Sequence, residues 1–163
     1  MKAIIYYSLD GNTDFTAQKI ATKIGAELIR LTPKKEYPTG KVSKFIWGGK
    51  SVTFGEKPKL VNEVIDLQMF DTIFIGTPIW AGKFAPPLNT FLHANEIKGK
   101  DIFLFACHMG GGAEKCFLKM KTLLGDNNIL GTVDFADPLT SPKDDTDTKI
   151  DDLCNKISMK KLK

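Results

Sequence analysis

The chain has 163 residues, of which 42% are hydrophobic and 26% are charged, and its formal net charge is +4 at pH 7. These values exclude a collagen-like, coiled-coil or fully disordered protein, and they suit a single domain over residues 1–163. The excess of positive charge falls in the last eight positions, which contain no aromatic residue, so the composition predicts no nucleic-acid partner.

Apolar runs and amphipathic stripes alternate along the chain. The runs are mostly apolar at successive positions and predict strands buried on both faces at 3–7, 27–31, 72–76, 102–106 and 129–133. The stripes have helical spacing and predict helices at 17–24, 60–65, 88–92, 117–124 and 150–157. This alternation predicts a parallel sheet with right-handed crossovers. Met120 and Cys154 fall inside the stripes, and we interpret them as core residues rather than ligands.

One connection, 32–57, is too long for a simple link between two elements and shows no clear period. A connection of this length in a compact domain is usually functional or disordered. Its aromatic residues argue against disorder, and they either pack the segment onto the domain or take part in a site. These residues are Tyr37, Phe45, Trp47 and Phe54.

The three cysteines, Cys107, Cys116 and Cys154, are odd in number and form no CxxC pair. They therefore predict neither a disulfide framework nor a zinc site, and they indicate a reducing cytosol. At the amino terminus Asp10 follows the first apolar run too soon for a signal-peptide core. The run from 102 to 113 is too short and too polar to cross a bilayer. We therefore expect a cytoplasmic protein without a membrane partner.

The segment after the first predicted strand is the first candidate site. In an open parallel sheet, ligands bind at the carboxyl ends of the strands, where the strand order reverses. The segment reads Ser8-Leu9-Asp10-Gly11-Asn12-Thr13 and opens directly into a helix. Hydroxyls, a glycine and the free N–H groups of a helix start suit a phosphate. The alternative is a plain helix N-cap formed by Asn12 or Thr13.

Two further segments are predicted at the same edge of the sheet. The segment after the third strand runs from Gly76 to Phe84, and in it Trp80 either stacks on a planar ring or packs against the next helix. The segment after the fourth strand reads Cys107-His108-Met109-Gly110-Gly111-Gly112, and its glycines indicate a close backbone approach to a ligand or a flexible turn. Neither segment matches a nucleotide P-loop or a dinucleotide fingerprint.

These three segments together resemble the cofactor loops of the flavodoxin family, and the resemblance extends over nearly the whole chain. It implies an α/β fold: a flavodoxin-like, doubly wound, five-stranded parallel sheet of order 2-1-3-4-5 with helices on both faces. It also implies a non-covalently bound FMN. The residues that the resemblance assigns to FMN are Ser8, Leu9, Asp10, Gly11, Asn12 and Thr13 around the phosphate, Pro78, Ile79, Trp80, Ala81 and Gly82 along the ring and ribityl chain, and Cys107, His108, Gly110, Gly111 and Gly112 on the other side.

The sequence departs from the family pattern at two places in these segments. Asp10 stands where the family often has Thr or Ser, and we expect its carboxylate to turn outward because it would repel a phosphate. The third segment lacks the tyrosine that many flavodoxins place over the ring. Trp47 or another aromatic residue of the long connection is the candidate replacement.

The function that the resemblance implies is electron transfer through FMN, with redox partner proteins as electron donor and acceptor. The alternative is an FMN-dependent NAD(P)H or quinone oxidoreductase. Outside the family, a hydrolase using Cys107 and His108 is disfavoured because neighbours on an extended strand end point to opposite faces. A flavin-free receiver module is disfavoured because Asp10 stands without the acidic cluster of a receiver's magnesium site.

Overall fold

The computed structural model describes residues 1–38, 55–62, 65–139 and 143–160. Its elements, in chain order, are β1 (Lys2–Tyr6), α1 (Asn12–Ile24), β2 (Glu27–Arg30), β3 (Thr72–Trp80), β4 (Lys83–Phe84), α2 (Pro86–Ala94), β5 (Asp101–His108), α3 (Ala113–Leu124), β6 (Asn128–Ala136) and α4 (Lys143–Lys160). Over these described ranges, no helix is both long enough and apolar enough to cross a membrane.

The sheet is doubly wound, with the order β2-β1-β3-β5-β6 and parallel pairing between each of these neighbours. The predicted order 2-1-3-4-5 is confirmed, because β5 and β6 are the fourth and fifth predicted strands. The chain places β2 on one side of β1 and β3 on the other, so the order reverses between β1 and β3. Parallel strands joined in this way leave a crevice at their carboxyl ends at the reversal point.

Two hydrophobic layers cover the two faces of the sheet. Ala3 and Ile5 of β1 point into the layer formed with α2 and α3, whereas Ile4 points into the layer formed with α1 and α4. Successive residues of one strand therefore fill opposite layers, which explains why the strands are apolar at consecutive positions. Met120 and Cys154 are buried in these layers, as predicted.

The segment that was predicted to be a loop after the third strand is a β-hairpin instead. β3 continues to Trp80 because Thr77 and Pro78 still pair with β5, and the chain then returns as the two-residue antiparallel strand β4. The φ angles of Ala81 and Gly82 are 48° and 73°, as a two-residue type I′ turn requires at both central positions. The sheet therefore has a short sixth strand beyond the five predicted.

The helix predicted over 60–65 is also wrong for the residues that the structure describes there. Leu60 pairs with Pro33 in an isolated antiparallel bridge, and the Val61 N–H donates to the Thr32 carbonyl oxygen at 2.7 Å. An antiparallel bridge requires extended backbone at Leu60, which is incompatible with the first turn of a helix. Val64, which belongs to the same stripe, lies outside the described residues.

Candidate functional site

The three predicted segments border one cavity of about 290 Å³ at the carboxyl edge of the sheet. The cavity lies where the strand order reverses, between the segments that follow β1 and β3. All of the predicted site residues line it except Gly11 and Gly112, and Met109 lines it in addition. The structure thus brings together residues from three distant parts of the chain.

The first loop, 8–13, presents the start of α1 to this cavity. Gly11 has a φ of 89° and precedes the helix, and no described side chain caps the helix start. The alternative, a plain helix N-cap formed by Asn12 or Thr13, is therefore wrong. The N–H groups of the first helical turn, together with the positive end of the helix dipole, form a site suited to an anion.

Two hydroxyls beside this helix start are buried without a partner. Ser8 and Thr13 are 3% and 1% exposed, and within the described part of the chain neither side-chain oxygen makes a hydrogen bond of normal geometry. The Cys107 thiol, a weak hydrogen-bonding group, lies beside the Thr13 hydroxyl. An unsatisfied buried polar group costs about 1–3 kcal/mol. Both residues line the cavity, so a ligand that bonds to both oxygens would recover this cost.

Arg30, at the carboxyl end of β2, fixes the first loop from outside the cavity. Its Nη2 donates to the Ser8 carbonyl oxygen at 3.0 Å, and its Nη1 lies 3.7 Å from the Asp14 carboxylate. The Tyr6 hydroxyl donates to the same carboxylate at 2.5 Å, and burial, followed by this carboxylate, raises the pKa of Tyr6 above its ordinary value. The carboxylate of Asp14, in the first turn of α1, is therefore engaged by Tyr6 and Arg30. Asp10 is exposed and also lines the cavity, and the outward turn expected of its carboxylate stays a prediction.

Trp80 lines the cavity and also packs against two tyrosines. Its ring centroid lies 5.9 Å from that of Tyr7 and 5.2 Å from that of Tyr37, and both contacts are edge-to-face. Tyr37 thus packs the start of the long connection onto the domain. Phe45, Trp47 and Phe54 lie outside the described residues, and the role expected of Trp47 stays a prediction.

The glycine loop, 109–112, is held at two points. The Gly111 N–H donates to Nδ1 of His108 at 2.9 Å, and Nε2 of His108 lies 2.9 Å from an Asp134 carboxylate oxygen. At the other end of the loop, a Cβ built on Gly112 would lie 3.1 Å from the Gly82 Cα atom. The backbones of the glycine loop and the β3–β4 hairpin therefore approach each other closely at Gly112 and Gly82.

Cys107 is not placed to act with His108 as a nucleophile. Its sulfur lies 3.7 Å from the Thr16 hydroxyl, in the layer that contains α1, whereas Ala106 belongs to the opposite layer. His108 shares the Ala106 side of β5, because side chains alternate along a strand. Burial raises the pKa of the Cys107 thiol to about 11, so it is protonated at neutral pH.

A family model described as Flavodoxin matches residues 1–132. The chain belongs to the flavodoxin family. No curated protein matches it. This flavodoxin is similar in fold to a flavoprotein from Lactobacillus acidophilus in complex with FMN, with a TM-score of 0.72 and 21% identity over 91% of this chain and 97% of that one.

Two further solved structures share the flavodoxin fold of this chain. A candidate flavoprotein from Bacteroides uniformis has a TM-score of 0.78 and 21% identity over 92% of this chain and 97% of its own. The apo form of an NADH:FMN oxidoreductase has a TM-score of 0.60 and 11% identity over 96% of this chain and 89% of its own. At these identities the likeness establishes the fold.

Sequence reasoning missed the residues of this flavodoxin that support the loops from neighbouring strands. Arg30 holds the first loop from β2, and Asp134 contacts His108 from β6. Both stand at or near the carboxyl end of a predicted strand. A charged residue at such a position was the signal that could have drawn attention to them.

Proposed function

We propose that the chain binds FMN non-covalently in this cavity and carries electrons between redox partner proteins. The observation that carries the proposal is the pair of buried, unpartnered hydroxyls of Ser8 and Thr13 beside the uncapped start of α1. A phosphate oxygen accepts hydrogen bonds from hydroxyls and from helix N–H groups, and it would satisfy both. Family membership and the FMN complex of the Lactobacillus flavoprotein support FMN as the ligand.

The residues present fit the cofactor in three groups. The Ser8 and Thr13 hydroxyls would bond the phosphate, with the backbone of 9–13 around it. The Asn12 side-chain oxygen accepts from the Leu139 N–H at 3.1 Å, so the donor that Asn12 can offer is its Nδ2. The hairpin residues 78–82 would lie along the ring and ribityl chain, and 107–112 would lie on the other side.

The flavin would supply the redox chemistry, while the chain binds the cofactor, orients it and shields it from water. Two strongly exposed apolar side chains stand beside the cavity. Met109 in the glycine loop is 69% exposed, and Leu139, whose Cδ1 lies 3.6 Å from a Cβ built on Gly11, is 50% exposed. They offer apolar contact area to a redox partner protein at the edge of the site.

The proposed setting is a reducing cytoplasm. Cys107, Cys116 and Cys154 are all unpaired and buried. Burial raises the pKa of the Cys116 thiol to about 12 and that of the Cys154 thiol to about 11. Buried thiols of this kind act as small apolar core groups.

The test of the carrier role compares two reactions of the FMN-loaded protein. One is the direct oxidation of NAD(P)H with a quinone as acceptor, and the other is reduction of the bound flavin by a partner protein. The FMN-loaded protein is mixed with NADH or NADPH as the electron donor and a quinone or oxygen as the acceptor, and free FMN at the same concentration is the control. A carrier should turn these over no faster than free FMN does, yet accept electrons from a flavodoxin reductase. Turnover well above the free-FMN rate would contradict the carrier role and indicate an FMN-dependent oxidoreductase.

Trp80 should report directly on the flavin. The variant Trp47→Phe retains Trp80 as its single tryptophan. The control variant Trp80→Phe retains Trp47 instead. We expect FMN to quench the emission of Trp47→Phe strongly, because the Trp80 ring lines the cavity. Trp80→Ala should weaken FMN binding by about 1 kcal/mol through lost ring contact. If FMN binds and the emission of Trp47→Phe does not change, Trp80 is not a neighbour of the ring.

A further inference from the structure

The glycine loop is hydrogen-bonded to His108, whose two ring nitrogens have different partners. A backbone N–H can only donate, so Nδ1 of His108, which bonds the Gly111 N–H, must be unprotonated. The proton of the neutral ring therefore sits on Nε2 and is donated to Asp134. The geometry alone thus selects one neutral tautomer of His108.

His108 itself is fixed, whereas the loop beyond it has room to move. The His108 side chain is 11% exposed, and its carbonyl oxygen accepts from the Asp137 N–H at 2.9 Å. A Cβ built on Gly110 or Gly111 would meet no described atom within 4 Å. Because glycine also has the widest backbone freedom, the loop can change shape when its tie to the ring is lost.

We propose that neutral His108 is a positioning residue that holds the glycine loop in the shape lining the FMN cavity, and that proton uptake at Nδ1 releases the loop. A protonated Nδ1 becomes a donor and can no longer accept from the Gly111 N–H. The side of the cavity that the loop lines then loses its shape, and flavin binding weakens as the pH falls and His108 takes up a proton. The effect on binding rests on the proposed FMN site.

The charges around His108 decide how readily the ring takes up this proton. The Asp134 carboxylate contacts Nε2 directly, and the Lys149 ammonium, on α4, donates to the Asp134 carbonyl oxygen at 3.2 Å. In the described part of the chain, further titratable groups near the ring or its loop include Asp137 after β6, Asp10 across the cavity, Cys107 on the same strand, and Glu114 and Lys115 in the first turn of α3. Asp134 is thus the acidic group in contact with the ring.

The decisive test is an NMR titration of the protein without flavin. Nitrogen-15 shifts of the His108 ring should show the Nε2–H tautomer at about pH 8. As the pH falls, the Gly111 amide resonance should move with the His108 titration, and its hydrogen exchange should become faster. Asp134→Asn should shift both changes to lower pH, because it removes the charge that favours the cation. His93→Asn, at the other histidine of the sequence, should leave them unchanged.

A flavin titration tests the consequence for binding. Riboflavin is the probe, because the phosphate of FMN titrates near pH 6 and would obscure the result. Its affinity for the parent should fall by about tenfold or more as His108 becomes protonated. His108→Asn keeps an acceptor near the Nδ1 position without a titrating group, so its riboflavin affinity should be independent of pH.

The holding role would be overturned by an Nδ1–H tautomer, or by a Gly111 amide resonance that does not shift while His108 titrates. Riboflavin binding that does not change with pH in the parent would overturn its effect on the cofactor. A protein that binds neither riboflavin nor FMN at any pH would instead overturn the proposed function, since the NMR titration decides the His108–Gly111 coupling without flavin.

Discussion

Thr13→Val and Ser8→Ala should weaken FMN binding while leaving the flavin-free protein as stable as before, or more stable. Each loses a hydrogen bond to a charged phosphate, worth about 1.5–3 kcal/mol, which raises Kd roughly ten- to hundredfold. In the flavin-free protein each change removes a buried hydroxyl that has no described partner. Isothermal titration with FMN and chemical unfolding of the apo protein measure the two effects separately.

The matched control is Thr16→Val, one helical turn away. Thr16 is as buried as Thr13, but its hydroxyl donates to the Asn12 carbonyl oxygen at 3.1 Å. Its loss should lower the stability of the apo protein by about 1 kcal/mol and change FMN affinity less than Thr13→Val does. Equal FMN affinity in Thr13→Val, Ser8→Ala and the parent would reject the phosphate site in the first loop.

Gly76→Ala should be among the most destabilising single substitutions in the sheet. A Cβ on Gly76 would lie 2.1 Å from Cζ of Phe105, whose ring is fully buried on the neighbouring strand β5. The ring is fully buried in a core layer and could move only by displacing its neighbours, so we expect a loss of about 3 kcal/mol or more in the free energy of unfolding. Urea denaturation of Gly76→Ala and the parent measures this loss.

Two variants separate the steric clash from a general effect of alanine in a strand. Phe105→Leu should restore part of the lost stability in the Gly76→Ala background, giving a favourable interaction energy in a double-mutant cycle. Gly131→Ala is the matched control in β6, where a Cβ would approach side-chain atoms no closer than 3.3 Å. The close packing of the Phe105 ring on Gly76 would be contradicted if Gly76→Ala and Gly131→Ala had equal free energies of unfolding.

The parallel sheet and the position of the site could be predicted because both follow from patterns along the chain, whereas the strand order was implied by the resemblance of three segments to the flavodoxin family. Consecutive apolar runs separated by helical stripes predict a covered parallel sheet, and such a sheet has its crevice at the carboxyl ends. The hairpin was missed because Pro78 and Gly82 resemble loop residues. Pro78 is nevertheless compatible with the end of β3, and Ala81–Gly82 is short enough for a two-residue turn.

The side-chain contacts that shape the site could not be predicted in the same way. More than twenty residues of sequence separate Arg30 from Ser8, and likewise His108 from Asp134. Which of their atoms come into contact depends on sheet register and strand twist. The helix predicted at 60–65 failed because its backbone groups had partners beyond β2 that a local period does not reveal. The sequence also could not show that the Ser8 and Thr13 hydroxyls lack hydrogen bonds, because this depends on which atoms of the folded chain surround them.

The central claim is that the chain binds FMN through its phosphate at the start of α1. The most direct measurement is a titration of the apo protein with FMN and with riboflavin, followed by the quenching of flavin fluorescence. We expect saturable binding of FMN and, because riboflavin lacks the phosphate, a riboflavin Kd at least about a hundredfold higher. Equal affinity for the two flavins, or no quenching of FMN, would contradict the account.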